Sequence, residues 1–156
     1  MTAAKDRLRL WLRLLKVVRR VDQQLRDRFR REYNTTLPRF DVMAALSRHE
    51  AGLKMSQLSD VLRVSNGNVT GIADRLSEEG LVERMAVPGD RRATVLRLTP
   101  AGQAEFARQA ASHEEWINEM LAGVSPEEAR AMAARLQAFA DATAALSKEK
   151  EEAHAL

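Results

Sequence analysis

The chain contains no cysteine in its 156 residues, which excludes a disulfide framework, a thiolate metal site and a thiol-based redox sensor. The cytoplasm is the expected compartment. No apolar run approaches the ~20 residues needed to span a bilayer, because Arg13, Lys16, Arg19 and Arg20 interrupt the best candidate. No membrane association is expected. Met1 to Arg9 lack the cleavage pattern of an export signal, so residue 1 is read as part of the mature protein. The three histidines, His49, His113 and His154, are too widely separated for metal-ligand spacing. No glycine-rich phosphate loop and no Ser-His-Asp arrangement is legible, so neither a cofactor nor an enzyme is expected. Aromatics are scarce as well. All seven (Trp11, Phe29, Tyr33, Phe40, Phe106, Trp116, Phe139) fall outside residues 41–105.

What remains is the composition of a folded protein, 45% hydrophobic and 30% charged, without low-complexity tracts. The length fits one domain. Net charge is +3 but unevenly spread: residues 1–33 hold 11 Lys/Arg against 4 Asp/Glu, residues 39–97 hold 9 against 8, and residues from 101 onward hold 5 against 10. A basic start of this kind is either a set of solvated helix faces or a surface that meets phosphate.

Between Ala4 and Tyr33 there is no Gly or Pro, and Trp11, Leu14, Leu15, Val18, Val21, Leu25 and Phe29 recur at three- and four-residue spacing. That predicts one long helix. Leu8, Leu10, Leu12 and Val17 widen its apolar surface beyond one core-facing stripe, which either a subunit contact or packing in a multi-helix domain explains. Thr36, with Pro38 in the first turn, opens a helix through about His49. Ser56 is the expected cap of a short helix containing Leu58, Val61 and Leu62. After a break at Val64 to Asn66, a second helix runs from about Gly67 to Glu79, with Val69, Ile72, Ala73 and Leu76 on its inner face. Two short helices joined by a tight turn make a helix-turn-helix unit.

After Gly80 the period changes to two. Leu81 to Val87, a Pro88-Gly89-Asp90-Arg91-Arg92 turn, then Ala93 to Leu98 read as a β-hairpin, which directly after a helix-turn-helix is a wing. Thr99-Pro100 opens a helix through Phe106 and Trp116 to about Leu121. Ser125-Pro126-Glu127-Glu128 opens the last, with Ala129, Met132, Ala133, Leu136, Phe139 and Ala140 as its buried stripe. Residues 148–156 are expected to fray. The fold class is thus mainly α with a small β-hairpin wing. The helical flanks, 1–35 and 100–147, enclose a winged helix-turn-helix lobe at 36–99 and are the candidate dimerisation region.

The Gly67–Glu79 helix carries the strongest chemical signal. Gly67 and Gly71, four apart, leave one face bare for close approach to a groove, at ~1 kcal/mol per glycine. Asn68 suits bidentate reading of adenine, and Thr70 a thymine methyl or a phosphate. On the wing, Arg91 and Arg92 suit a narrow minor groove, and Asp90 is expected to orient an arginine guanidinium. The DNA-facing set is Ser56, Gln57, Ser65, Asn66, Asn68, Thr70, Arg75, Asp90, Arg91 and Arg92.

The run Asp90-Arg91-Arg92-Ala93-Thr94-Val95-Leu96-Arg97-Leu98-Thr99-Pro100-Ala101-Gly102, with Gly80-Leu81-Val82-Glu83-Arg84 before it, resembles the wing signature of the MarR family, the multiple antibiotic resistance regulators. The resemblance covers nearly the whole chain. It implies a homodimer built by the first and last two helices, a recognition helix in the major groove and Arg92 in the minor groove. It also implies a ligand pocket between the dimer helices and the DNA-reading lobe. Leu37 to Leu46, Val64 to Gly71 and His113-Glu114-Glu115-Trp116 resemble the branch that senses hydroxycinnamoyl-CoA thioesters. That implies a small aromatic ligand or acyl-CoA at Trp11, Arg13, Phe40, Met43, His113 and Trp116, with the basic first helix available to the CoA phosphates. Leu8, Leu12, Leu15, Leu136 and Phe139 are the expected dimer contacts. The expected function is a dimeric, ligand-released repressor on a pseudo-palindromic duplex site. A constitutive DNA-binding protein without an effector and a winged-helix module for protein contacts are the alternatives.

Overall fold

The computed structural model describes residues 2–65 and 67–155, the side chains of Val64 and Ser65 excepted. Met1–Ile117 form one compact unit and Asn118–Leu156 a second. Along the chain run α1 (Ala3–Tyr33), α2 (Leu37–Ser47), β1 (Leu53–Lys54), α3 (Met55–Ser65), α4 (Val69–Glu78), β2 (Val82–Val87), β3 (Asp90–Leu98), α5 (Pro100–Met120) and α6 (Pro126–His154).

The boundaries follow local chemistry. α1 stops where Asn34 turns left-handed at φ 49° and its N–H returns to the Arg30 carbonyl. Thr36 Oγ1 then accepts from the Arg39 N–H and Pro38 fills the first turn, starting α2. Ser125 and Glu128 form a reciprocal capping box at the start of α6. The core of the first unit lies among α2, α3, α4 and the sheet. Val42, Met43, Leu46, Leu58, Leu76 and Leu96 are its most deeply buried side chains.

The sheet has three antiparallel strands in the order β1-β3-β2. The strand at Leu53–Lys54 is not foreseen by the sequence, because two residues carry no period; it exists only through pairing with Leu96 and Val95. Val87 pairs with Asp90, so the hairpin turns on Pro88-Gly89 alone, with Gly89 at φ +85°. Asp90, Arg91 and Arg92 accordingly stand on β3 and not in a five-residue loop.

Further expectations are corrected. α4 begins at Val69, with Asn68 as its N-cap, so Gly67 precedes the helix. A Cβ there would lie 2.9 Å from both Ile72 Cδ1 and Pro38 Cβ. Close packing inside the lobe, not a groove outside it, therefore accounts for Gly67. Ser56 lies within α3, not at its cap; at that end Gln57 Oε1 accepts from the Lys54 N–H. The stripe on α6 is exposed, since no residue of that helix is buried. α6 extends to His154 and so includes most of the segment expected to fray.

Candidate nucleic-acid interface

The outward surface of α4 and the β2–β3 hairpin is built from short polar contacts. Asn68 Oδ1 accepts from the Gly71 N–H at 3.3 Å, closing the first turn of α4. The amide nitrogen stays outside that bond. Thr70 and Arg75 are exposed along the same helix. Arg84 of β2 donates to Asp74 of α4 at 2.6 Å, tying the hairpin to the helix. Across the hairpin Arg97 donates to Glu83 at 2.6 Å, in register with the strand pairing.

Arg91 and Arg92 are exposed and have no acidic partner among the described residues. Asp90 does not orient either guanidinium. Its Oδ1 accepts from the Arg92 backbone N–H at 3.0 Å, so it shapes the strand entry. Ser56 and Gln57 are exposed at the start of α3. Asn66 and the side chain of Ser65 lie outside the described residues.

Beside the start of α4 lies a concavity of about 540 Å³ lined by Arg30, Arg39 and Arg75 together with Thr35, Thr36 and Asn68. Three arginines on one wall, Arg75 from the last turn of α4 and Arg39 already paired with Glu79, make a basic surface suited to phosphate oxygens. Arg30 and Arg39 were not among the expected contacts. The signal for Arg30 was available in the basic run that ends α1, whereas Arg39 lies on α2 and only the fold brings it beside α4, where it pairs with Glu79.

The expected ligand residues divide. Phe29, Phe40 and Trp116 are buried and pack ring against ring, with Phe29 and Phe40 centroids 4.7 Å apart and Phe29 edge-on to Trp116 at 5.0 Å. Phe40 and Trp116 are therefore core, as is Met43, although Met43 also borders a cleft. Trp11 and Arg13 are exposed near the far end of α1. At 1.5 Å per residue, Trp11 sits roughly 27 Å along the helix from Phe29, so the two ends cannot close one cage within a single chain.

His113 stacks on Phe40 at 4.8 Å, and burial pushes its imidazole below the ordinary 6.5. The unfolded chain thus binds the proton more readily, and stability should fall as pH drops through 6.5 toward the folded value. In His113→Phe, which keeps the stack, that component of the loss should vanish. Urea midpoints measured on both proteins across this range check it.

No helix among the described residues is long and apolar enough to cross a membrane. Among those residues no group of three His, Asp or Glu side chains is placed to hold a metal ion.

The MarR family model matches residues 35–94. The chain is 33% identical over 110 residues to the HTH-type transcriptional regulator PecS of Dickeya dadantii, covering 69% of this chain and 66% of that protein. It is 30% identical over 92 residues to the multiple antibiotic resistance protein MarR of Salmonella typhimurium, covering 59% and 63%. The matched segments thus span just under two thirds of these curated relatives. A solved MarR family transcriptional regulator from Silicibacter pomeroyi superposes with a TM-score of 0.75 at 30% identity, over 92% of this chain and 99% of that one. Sco3205 of Streptomyces coelicolor, solved in complex with DNA, shares the fold with a TM-score of 0.72 at 18% identity, over 91% and 89%. With its wing, its helix order and these relatives taken together, the chain belongs to the MarR family.

Proposed function

We propose that the protein is a transcriptional regulator that binds duplex DNA as a homodimer, acts as a repressor in the cytoplasm and is released by a small aromatic ligand. The observation that carries the DNA reading is the pair of exposed arginines, Arg91 and Arg92, on a hairpin fastened to α4 by Arg84 and Asp74. That exposed ion pair links wing and helix at one point on the surface offered to DNA. α4 then enters the major groove with Asn68, Thr70 and Arg75 foremost, while Arg92 reaches the adjacent minor groove. A two-fold dimer repeats this about 34 Å away on a pseudo-palindromic site.

Arg92→Ala is expected to weaken operator binding by roughly 1 to 3 kcal/mol per half-site and to reduce the salt dependence. Gel-shift titrations at two ionic strengths measure both. Unchanged affinity and unchanged salt slope would leave a module for protein contacts.

For the effector, an aromatic acyl-CoA thioester such as a hydroxycinnamoyl-CoA is the proposed class. Its support is the chain's resemblance to that branch and the basic α1, which carries Lys16, Arg19 and Arg20. Guanidinium and ammonium groups there suit the CoA phosphates. Titrating a preformed operator complex with the thioester and with the free acid decides the matter. Release by the thioester supports the proposal. A flat response to both leaves the constitutive reading, which the tight packing of Phe29, Phe40 and Trp116 also favours.

A further inference from the structure

We infer that the concavity of about 540 Å³ between the end of α1, the start of α2 and α4 is a clamp for a backbone phosphate of the duplex, with Arg30 of α1 and Arg75 of α4 as its jaws. α1 then contributes a DNA contact from outside the helix-turn-helix lobe. The inference rests on the DNA reading proposed above and adds an anchoring point on the opposite side of α4 from the wing.

The walls decide the charge of the occupant. Among the described residues no Asp or Glu lines the concavity. Arg39 is already paired with Glu79, but Arg30 and Arg75 are exposed and have no acidic partner among the described residues. The neutral groups there are donors as well. Thr36 Oγ1 accepts from the Arg39 N–H, which leaves its hydroxyl hydrogen to be given away. Asn68 Oδ1 accepts from the Gly71 N–H, which leaves the amide Nδ2. The Phe29 and Arg30 carbonyls at the end of α1, which would repel an anion, already accept from the Thr35 and Asn34 N–H groups. Two uncommitted guanidiniums and two neutral donors suit a phosphate, whose oxygens only accept.

Position names the source of that phosphate. Asn68, Gly71 and Arg75 follow one another at three- and four-residue spacing along one side of α4, and all three line the concavity. Asp74, which holds the wing through Arg84, lies about 100° round the helix from Arg75. The wing therefore leaves α4 on one side, and the concavity opens on the other. A helix with its side chains is about 10–12 Å across and the major groove about 12 Å wide, so an inserted α4 brings both sides against phosphates. Arg30 stands on the helix that also carries Leu8, Leu12 and Leu15, so a phosphate held there joins α1 to α4 while DNA is bound.

Fluorescence anisotropy with a labelled duplex of arbitrary sequence, at several salt concentrations, tests the clamp, because a phosphate contact does not depend on sequence. Arg30→Gln should weaken binding roughly tenfold at low salt and lower the slope of log affinity against log salt by about one per protomer. Arg75→Gln should do the same, and Arg30→Lys should recover most of both losses. Arg31→Gln removes a charge from the next position, which does not line the concavity, and should change affinity by less than about twofold. An unchanged salt slope in Arg30→Gln, or an equal loss in Arg31→Gln, overturns the clamp. Inorganic phosphate, added without DNA at matched ionic strength, is the second probe and should give no saturable rise in melting temperature. A saturable rise that Arg30→Gln abolishes assigns the concavity to a free anion and overturns the backbone contact. Arg92→Ala on the same duplex separates the two readings. A loss there with none in Arg30→Gln removes the clamp and keeps the DNA reading, whereas no loss in either removes both.

Discussion

Gly102→Ala is expected to destabilise the fold by about 3 kcal/mol, lowering the melting temperature by roughly 6–12 °C. The added Cβ would stand 1.9 Å from the Leu81 carbonyl oxygen and 2.8 Å from its carbon, both backbone atoms with nowhere to rotate. That carbonyl is in use. It accepts from the Thr99 N–H at 3.1 Å, while Thr99 Oγ1 donates to the Gly80 carbonyl and accepts from the Gly102 N–H. The segment Thr99 to Gly102 therefore clamps Gly80 and Leu81, two of the three residues that join α4 to the wing. Pushing Leu81 aside breaks the clamp and unseats β2 from β3 at the Val82–Leu98 pair. Gly123→Ala is the control, since a Cβ there meets nothing within 4 Å, and it should move the melting temperature by less than about 2 °C. A melting curve of Gly102→Ala coincident with the parent's would show that α5 is not seated on that carbonyl.

The clamp bears on how much of the molecule was legible beforehand. Gly102 stood out in the sequence only as part of a resemblance, with no reason attached. The reason is the close approach of α5 to a backbone carbonyl some twenty residues earlier. Long helices were readable because α1 lacks Gly and Pro and repeats apolar residues at three and four. Thr36 and Ser125 were readable caps because their chemistry is local to one turn. The hairpin was readable from its change of period, but its turn was placed three residues too long. Asp90-Arg91-Arg92 has turn-like composition, yet the Val87–Asp90 pair draws it into the strand.

What stayed hidden depends on contacts between distant residues. β1 is defined by its partner. Arg39 and Glu79 are forty positions apart, and nothing in either segment announces the other. Asn68, expected as a base contact, is the N-cap of α4, a role its side chain fills equally well at an exposed N-terminus. Gln109 was a missed residue with a visible signal. It falls on the α5 stripe Gly102, Phe106, Gln109, His113, Trp116, spaced by four, three, four and three, where a lone amide among buried positions needs an explanation.

The largest functional effect is expected from Leu136→Glu combined with Phe139→Glu, which should leave the protein monomeric at micromolar concentration and reduce operator affinity to near that for random DNA. Leu136 and Phe139 are 46% and 59% exposed, and Leu8 and Leu12 on α1 are 55% and 53% exposed. Leu15, also on α1, is half-buried. A helix of this length holds its shape chiefly by burying an apolar face, and no residue of α6 is buried in the single chain. A second copy of the chain is the proposed cover. In a two-fold interface each substitution counts twice. Losing the burial of four large side chains removes roughly 6 to 12 kcal/mol per dimer, before the cost of desolvating four carboxylates. Every 1.4 kcal/mol is about tenfold in the dissociation constant, so even the lower bound moves a nanomolar dimer beyond micromolar. A monomer then holds one half-site, and a loss of roughly a thousandfold in specific affinity follows. Gln137→Glu, one position round the same helix, adds a charge without removing the apolar pair and should leave both properties unchanged. Sedimentation velocity and gel shift on the three proteins measure them together. A double variant that still sediments as a dimer would mean that the α6 stripe faces something other than its own copy. If it became monomeric yet kept operator affinity, the two half-sites would not be acting together.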